Sequence, residues 1–124
     1  MIQMKRLIQA LTTVALALSA TSVAAFSCDS TVNTVGIASN GSLALDAGYG
    51  VILICSATGT VSGVAPDTCK TWFSQALTAK ASGRQIRLFF DRGDPSNASL
   101  ADFVCTAANF GNWVWRPSYY VFNL

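Results

Sequence analysis

The 124-residue chain contains no histidine and no glutamate, and its six acidic side chains are all aspartates. Without an imidazole there is no Ser-His-Asp or Cys-His nucleophile, no histidine ligand for zinc and no histidine pH switch. Charge is scarce as well, with 11% of residues charged against 52% hydrophobic. No close CxxC pair is present, and a four-thiolate zinc site needs such pairs, so no metal is expected. The Gly-rich stretch 57–64 lacks the Gly-Lys-Ser/Thr ending of a phosphate cradle and reads as a loop. No cofactor is expected, no repeat or low-complexity tract appears, and a chain this short predicts one domain.

What is present begins with the pattern of an exported protein. Lys5 and Arg6 precede an apolar run over residues 7–18, and Val23-Ala24-Ala25 supplies small side chains at the −3 and −1 positions of a cleavage site. The sequence thus predicts a signal peptide over 1–25 and a secreted or periplasmic domain over 26–124, starting at Phe26. Residues 7–26 are just long enough to span a bilayer, but their second half is Ser, Thr and Ala. A lipoprotein acylated at Cys28 is opposed by Phe26, a bulky residue where the lipobox wants a small one. Cleavage would leave Lys70, Lys80, Arg84, Arg87, Arg92 and Arg116 against the six aspartates, a net charge near zero. That balance argues against a nucleic-acid partner, which needs a clustered basic surface, and no stable membrane insertion is expected after cleavage.

Cys28, Cys55, Cys69 and Cys105 all fall in the exported part, and an even count in an oxidising compartment implies two disulfides. Three pairings are possible. The favoured one joins Cys55 to Cys69, from a strand end to the first turn of a helix, and Cys28 to Cys105, from the amino terminus to the last third of the chain. On the chain-entropy argument these loops contribute about 3 and about 4 to 5 kcal/mol. A chain of this size buries under about 70% of its unfolded surface, so such cross-links matter.

Loose alternation over 31–39, the hairpin signal Asn40-Gly41 and a short apolar run predict strands over 31–39 and 42–46. Residues 49–56 follow, apolar on both faces, as the central strand. Pro66 at a first helical position, Asp67 at the positive end of the dipole and Gly83 as a left-handed cap predict a helix over 66–82. Cys69, Trp72, Phe73, Ala76 and Leu77 form its buried stripe. Residues 84–91 alternate as a half-buried strand. A polar turn region at 92–97 leads to a short helix or irregular crossing at 98–108, and the tail 113–124 reads as a strand or hairpin bent at Arg116-Pro117-Ser118. The order of three strands, a helix, then one or two strands predicts a mainly β domain with one helix. A five-stranded OB-like barrel is favoured, with a two-layer α+β sandwich as the alternative.

Within residues 51–88, Ile54-Cys55, Val64-Ala65-Pro66, Cys69-Lys70, Phe73-Ser74, Leu77, Ala79-Lys80, Ser82-Gly83 and Gln85-Ile86-Arg87-Leu88 make up a pattern that resembles the secreted B subunits of the subtilase cytotoxin type. The match spans about forty residues and consists of helix, cap and disulfide positions. The resemblance implies an OB fold, a homo-oligomeric ring, binding of sialylated cell-surface glycans and a toxin catalytic subunit as partner. The family's sugar-contacting serine and acidic residue fall on no identifiable position here, and a contact made by glutamate has no equivalent in this chain.

Six of the thirteen aromatic residues lie from Phe110 onward, and rings with a flat apolar face and a polar edge suit sugars. Trp113, Trp115 and Tyr119 are therefore the expected ligand-binding surface, with Arg116 beside them to pair with a sialic-acid carboxylate. Arg92-Gly93-Asp94 spells an adhesion tripeptide but suits an ordinary turn, and Asn97-Ala98-Ser99 is a glycosylation sequon in an expected surface loop. Asp91, Asp94 and Asp102 could supply the two carboxylates of a glycoside hydrolase, against the plainer reading of solvated loop aspartates. The favoured function is an exported, non-enzymatic binding module. A small secreted hydrolase and a structural or inhibitory protein are the alternatives.

Overall fold

The structure, a computed structural model, describes residues 25–124, so the signal-peptide reading lies outside the described residues except for Ala25. Strands β1 (Ala25–Thr31), β2 (Thr34–Ile37), β3 (Ser42–Asp46) and β4 (Val51–Ser56) precede helix α1 (Pro66–Ser82). Strand β5 (Gln85–Asp91), a 3-10 turn (Pro95–Asn97), helix α2 (Ala107–Phe110), β6 (Val114–Trp115) and β7 (Ser118–Asn123) complete the domain. The expectation of a mainly β fold with one main helix holds.

The strands form a three-stranded sheet, β1-β5-β7, and a four-stranded sheet, β2-β3-β4-β6. Pairing is antiparallel throughout except between β4 and β6. Among the described residues no strand belongs to both sheets, so the expected five-stranded barrel does not close. The cause lies at the amino end. The single strand expected over 31–39 is β2 alone, and β1 precedes it over residues where no strand was expected, pairing with β5 while β2 pairs with β3. The polar residues Ser27, Asp29 and Ser30 hid β1, whose inward face is only Phe26 and Cys28.

Burial follows the two-residue period. Ile86, Leu88 and Phe90 of β5 face inward, as do Ile52 and Ile54 of β4. With Leu43, Leu45, Phe26, Phe110 and the buried side of α1 they make one core. Helix α1 spans the expected residues. Pro66 opens it, and Gly83 (φ 66°) closes it in the left-handed region, with Arg84 N–H donating to Ala79 O at 3.0 Å. Cys69, Trp72, Ala76 and Ala79 form its buried stripe and Phe73 flanks it. Leu77, expected in that stripe, is 43% exposed, because it lies about 120° around the helix from the stripe's centre. Thr71, Ser74, Thr78 and Ser82 line the exposed side and each donates to the carbonyl four residues back.

Both disulfides form as favoured, Cys55–Cys69 and Cys28–Cys105. The second fastens the long segment 92–113, which is irregular except for its two short helical turns. Asn109 closes a loop in that segment, accepting from Ala101 N–H at 3.0 Å and donating to Val104 O at 2.8 Å. A Cβ on Gly50 (φ 89°) would stand 2.1 Å from Gly111 O, so only glycine lets the end of α2 lie against the start of β4. Tyr49 packs its buried ring on Phe110 at 4.6 Å and holds the same junction. No helix among the described residues is long and apolar enough to cross a membrane.

Candidate functional site

The chain leaving α2 is clipped to β4 residue by residue. Asn112 Oδ1 accepts from Val51 N–H at 3.0 Å, Trp113 N–H donates to Val51 O at 2.7 Å, and Arg116 N–H donates to Leu53 O at 2.9 Å. Between these bonds Trp113 sits at φ 56°, a left-handed conformation that costs a non-glycine residue about 1 kcal/mol or more. Its side chain is 63% exposed. A strained backbone thus holds a large apolar ring out in water.

The ring stands at the side of a trough of about 280 Å³ on the outer face of the four-stranded sheet. Thr34, Gly36, Ala38, Ala44 and Val51 line it, together with Val35 and Ile37. Its width comes from small side chains. Gly36 and Ala44 are direct cross-strand partners, and a Cβ added at Gly36 would meet nothing within 4 Å. Asp46 does not itself line the trough but stands next to two residues that do: it pairs with Thr34 on β2 and Val51 on β4 and shares the outward face of β3 with Ala44. One carboxylate oxygen of Asp46 accepts from Gly48 N–H at 2.9 Å. Trp115 belongs to the same face, half-buried beside Leu53.

The other two expected site residues lie elsewhere. Arg116 is 8% exposed and points into the protein, where its Nε donates to Phe110 O at 2.9 Å and its Nη1 to Ser96 O and Ser99 Oγ. Burial pulls its pKa below that of a free guanidinium. It ties the 3-10 turn, α2 and β6 together and does not stand beside an open groove. Tyr119 lines a different cleft, between α1 and β7, with Thr68, Thr71, Trp72, Gln75 and Tyr120. A bulge in the β5–β7 pairing turns both Tyr119 and Tyr120 outward, where simple alternation would have buried one. Phe89 meets Tyr119, Tyr120 and Phe122 with ring centroids 5.7 to 6.0 Å apart, and Tyr120 lies 4.3 Å from Phe122.

Sequence reasoning missed the trough because its lining is Thr, Val, Gly and Ala, residues without chemical signature; a glycine inside a strand was the available signal. It also missed Phe103, 70% exposed at φ 58°. The remaining motifs serve the loop. Asp91 Oδ1 accepts from Gly93 N–H at 2.7 Å, Asp94 Oδ1 caps Ser96 N–H at 2.9 Å, and Asp102 pairs with Arg92 at 3.2 Å. Both charges of Arg92-Gly93-Asp94 are thereby engaged within the fold. The sequon asparagine is not on the surface: Asn97 is fully buried and its amide donates to Asp91 O and Pro117 O.

Among the described residues no group of three or more His, Cys, Asp or Glu is placed to hold a metal ion. No protein-family model, curated protein or solved structure matches this chain.

Proposed function

We propose that the domain is an exported binding module that recognises cell-surface glycans, with a sugar ring stacked on Trp113 over the trough. The observation that carries this reading is the indole itself, exposed, held in a strained backbone and flanked by an open trough of about 280 Å³. Export is supported by the amino-terminal pattern and by two disulfides, which persist in oxidising compartments.

Glycan-array binding of the wild type beside Gly36→Val and Trp113→Ala tests the reading. Gly36 has an ordinary strand conformation with empty space above it, so valine fills the trough without disturbing the sheet. Both variants are expected to lose binding with unchanged circular dichroism. A wild type that binds no glycan, or a Gly36→Val protein that binds as well as wild type, overturns it.

A second reading concerns self-association. The cluster joins Tyr119, Tyr120 and Phe122 of the edge strand β7 to Phe89 of the neighbouring β5, and favours a homo-oligomer built through that face. Kinship with subtilase cytotoxin B subunits, an OB-like ancestry and a toxin catalytic partner belong to the same proposal. They are supported by the quoted pattern of residues 51–88 and by the helix between β4 and β5. A hydrolase draws no support from Asp91, Asp94 and Asp102, which each hold a neighbouring loop group.

A further inference from the structure

We infer that the trough under Trp113 takes a neutral pyranose, with the Asp46 carboxylate accepting hydrogen bonds from its hydroxyls, and that it rejects sialylated ends. The inference rests on the glycan-binding reading and adds the charge class of the ligand. A sialic acid carries a carboxylate, and a site that selects it needs a cation or a set of aimed donors. Of the residues lining the trough, none is Lys or Arg. Arg116, the one cation near Trp113 in the chain, is turned inward and occupied by Phe110 O, Ser96 O and Ser99 Oγ. Arg92 is paired with Asp102 and Arg87 with Asp29.

The charge that strand register sets next to the lining residues is negative. Asp46 lies between Thr34 and Val51, both lining residues, and its Oδ1 is held by Gly48 N–H. The second carboxylate oxygen makes no hydrogen bond among the described residues and can accept from a sugar hydroxyl, which is a donor as well as an acceptor. The same oxygen repels a second carboxylate. A hydroxyl at Thr34 adds a donor and acceptor on the same wall. The arrangement therefore pairs an apolar ring for the C–H face of a sugar with an anionic acceptor for its hydroxyl edge.

The test is an array carrying terminal galactose, glucose, mannose and N-acetylglucosamine beside the matched sialylated glycans, probed with the exported wild type and with Asp46→Asn. Asparagine keeps the Oδ1 acceptor for Gly48 and removes the charge. Neutral ends should bind and sialylated ends should not, and Asp46→Asn should weaken neutral binding about tenfold with unchanged melting. Binding of sialylated ends at equal or greater strength overturns the inference while leaving the glycan reading intact. Neutral binding unaffected by Asp46→Asn removes the acceptor role and overturns it too. A wild type that binds nothing on the array overturns both together.

Discussion

Two groups of exposed aromatic side chains occupy the two sheets, and they differ in what surrounds each ring. On the three-stranded sheet, Phe89, Tyr119, Tyr120 and Phe122 touch one another, so each ring already has an aromatic neighbour. On the four-stranded sheet Trp113 makes no such contact among the described residues and stands at the side of a trough that Gly36, Ala38 and Ala44 also line. A clustered patch lowers its own exposure and is completed by a flat partner, such as the same patch on another copy. A lone indole beside empty volume is completed only by something that enters the volume. Counting aromatics in the tail could not separate these cases, because the distinction lies in the neighbours supplied by β2, β3 and β5.

The largest effect expected is on the fastening behind the lone indole. Arg116→Ala removes the donors for Phe110 O and Ser96 O in a closed environment, and should cost about 2 to 3 kcal/mol. That corresponds to a fall in Tm of about 10 °C or more for a domain of this size. Arg116→Lys keeps charge without the planar fork and should fall between. A Tm unchanged in Arg116→Ala would show that the residue is not the strut described here.

Trp113→Gly sharpens the comparison from the other side. Glycine relieves the left-handed strain at φ 56° while giving up the ring, so Tm should hold or rise, by up to about 1 kcal/mol of stability, as sugar binding disappears. A clear loss of stability would mean that the indole serves the fold and is not held out for a ligand.

How far the sequence carried this reading depended on whether the relevant signal was local. Helix α1 was legible to the residue because Pro66, Asp67 and Gly83 are local stop and start signals. The disulfides were legible because the strand end at Cys55 and the first turn at Cys69 are set by the same local patterns. The split into two sheets was not, since it depends on β1 finding β5 across more than fifty residues of chain. The site was half legible. Trp113 and Trp115 were chosen by residue type, but the inward turn of Arg116 is decided by carbonyls on Phe110 and Ser96, which no side-chain pattern announces. The bulge that exposes Tyr119 beside Tyr120 is equally a matter of pairing and not of residue type.

The clustered patch gives a third prediction, on assembly. Phe122→Ser with Tyr120→Ser should shift sedimentation velocity toward monomer while leaving sugar binding per chain unchanged, because the patch and the trough lie on different sheets. A double variant that loses sugar binding without a change in fold would join the two regions into one site and end the comparison.

The smallest effect is expected where charge borders that patch. Arg87 pairs across from Phe122 on one side and Asp29 on the other, and its guanidinium donates to both carboxylate oxygens of Asp29 at 2.6 and 2.7 Å. Hydrogen bonds from Arg87 hold the Asp29 carboxyl below the usual carboxylate range. The folded state then prefers the ionised form more than the unfolded chain does. The resulting stability is fully present above the ordinary carboxylate pKa and is lost as pH falls through the lowered value. Both side chains remain well exposed, so solvent and salt weaken the pair. Asp29→Asn should therefore be slightly less stable than wild type at neutral pH. The two urea curves should converge when the pH drops below the lowered pKa, and again in molar salt at neutral pH. A constant gap between them at every pH would assign the loss to packing and not to the ion pair.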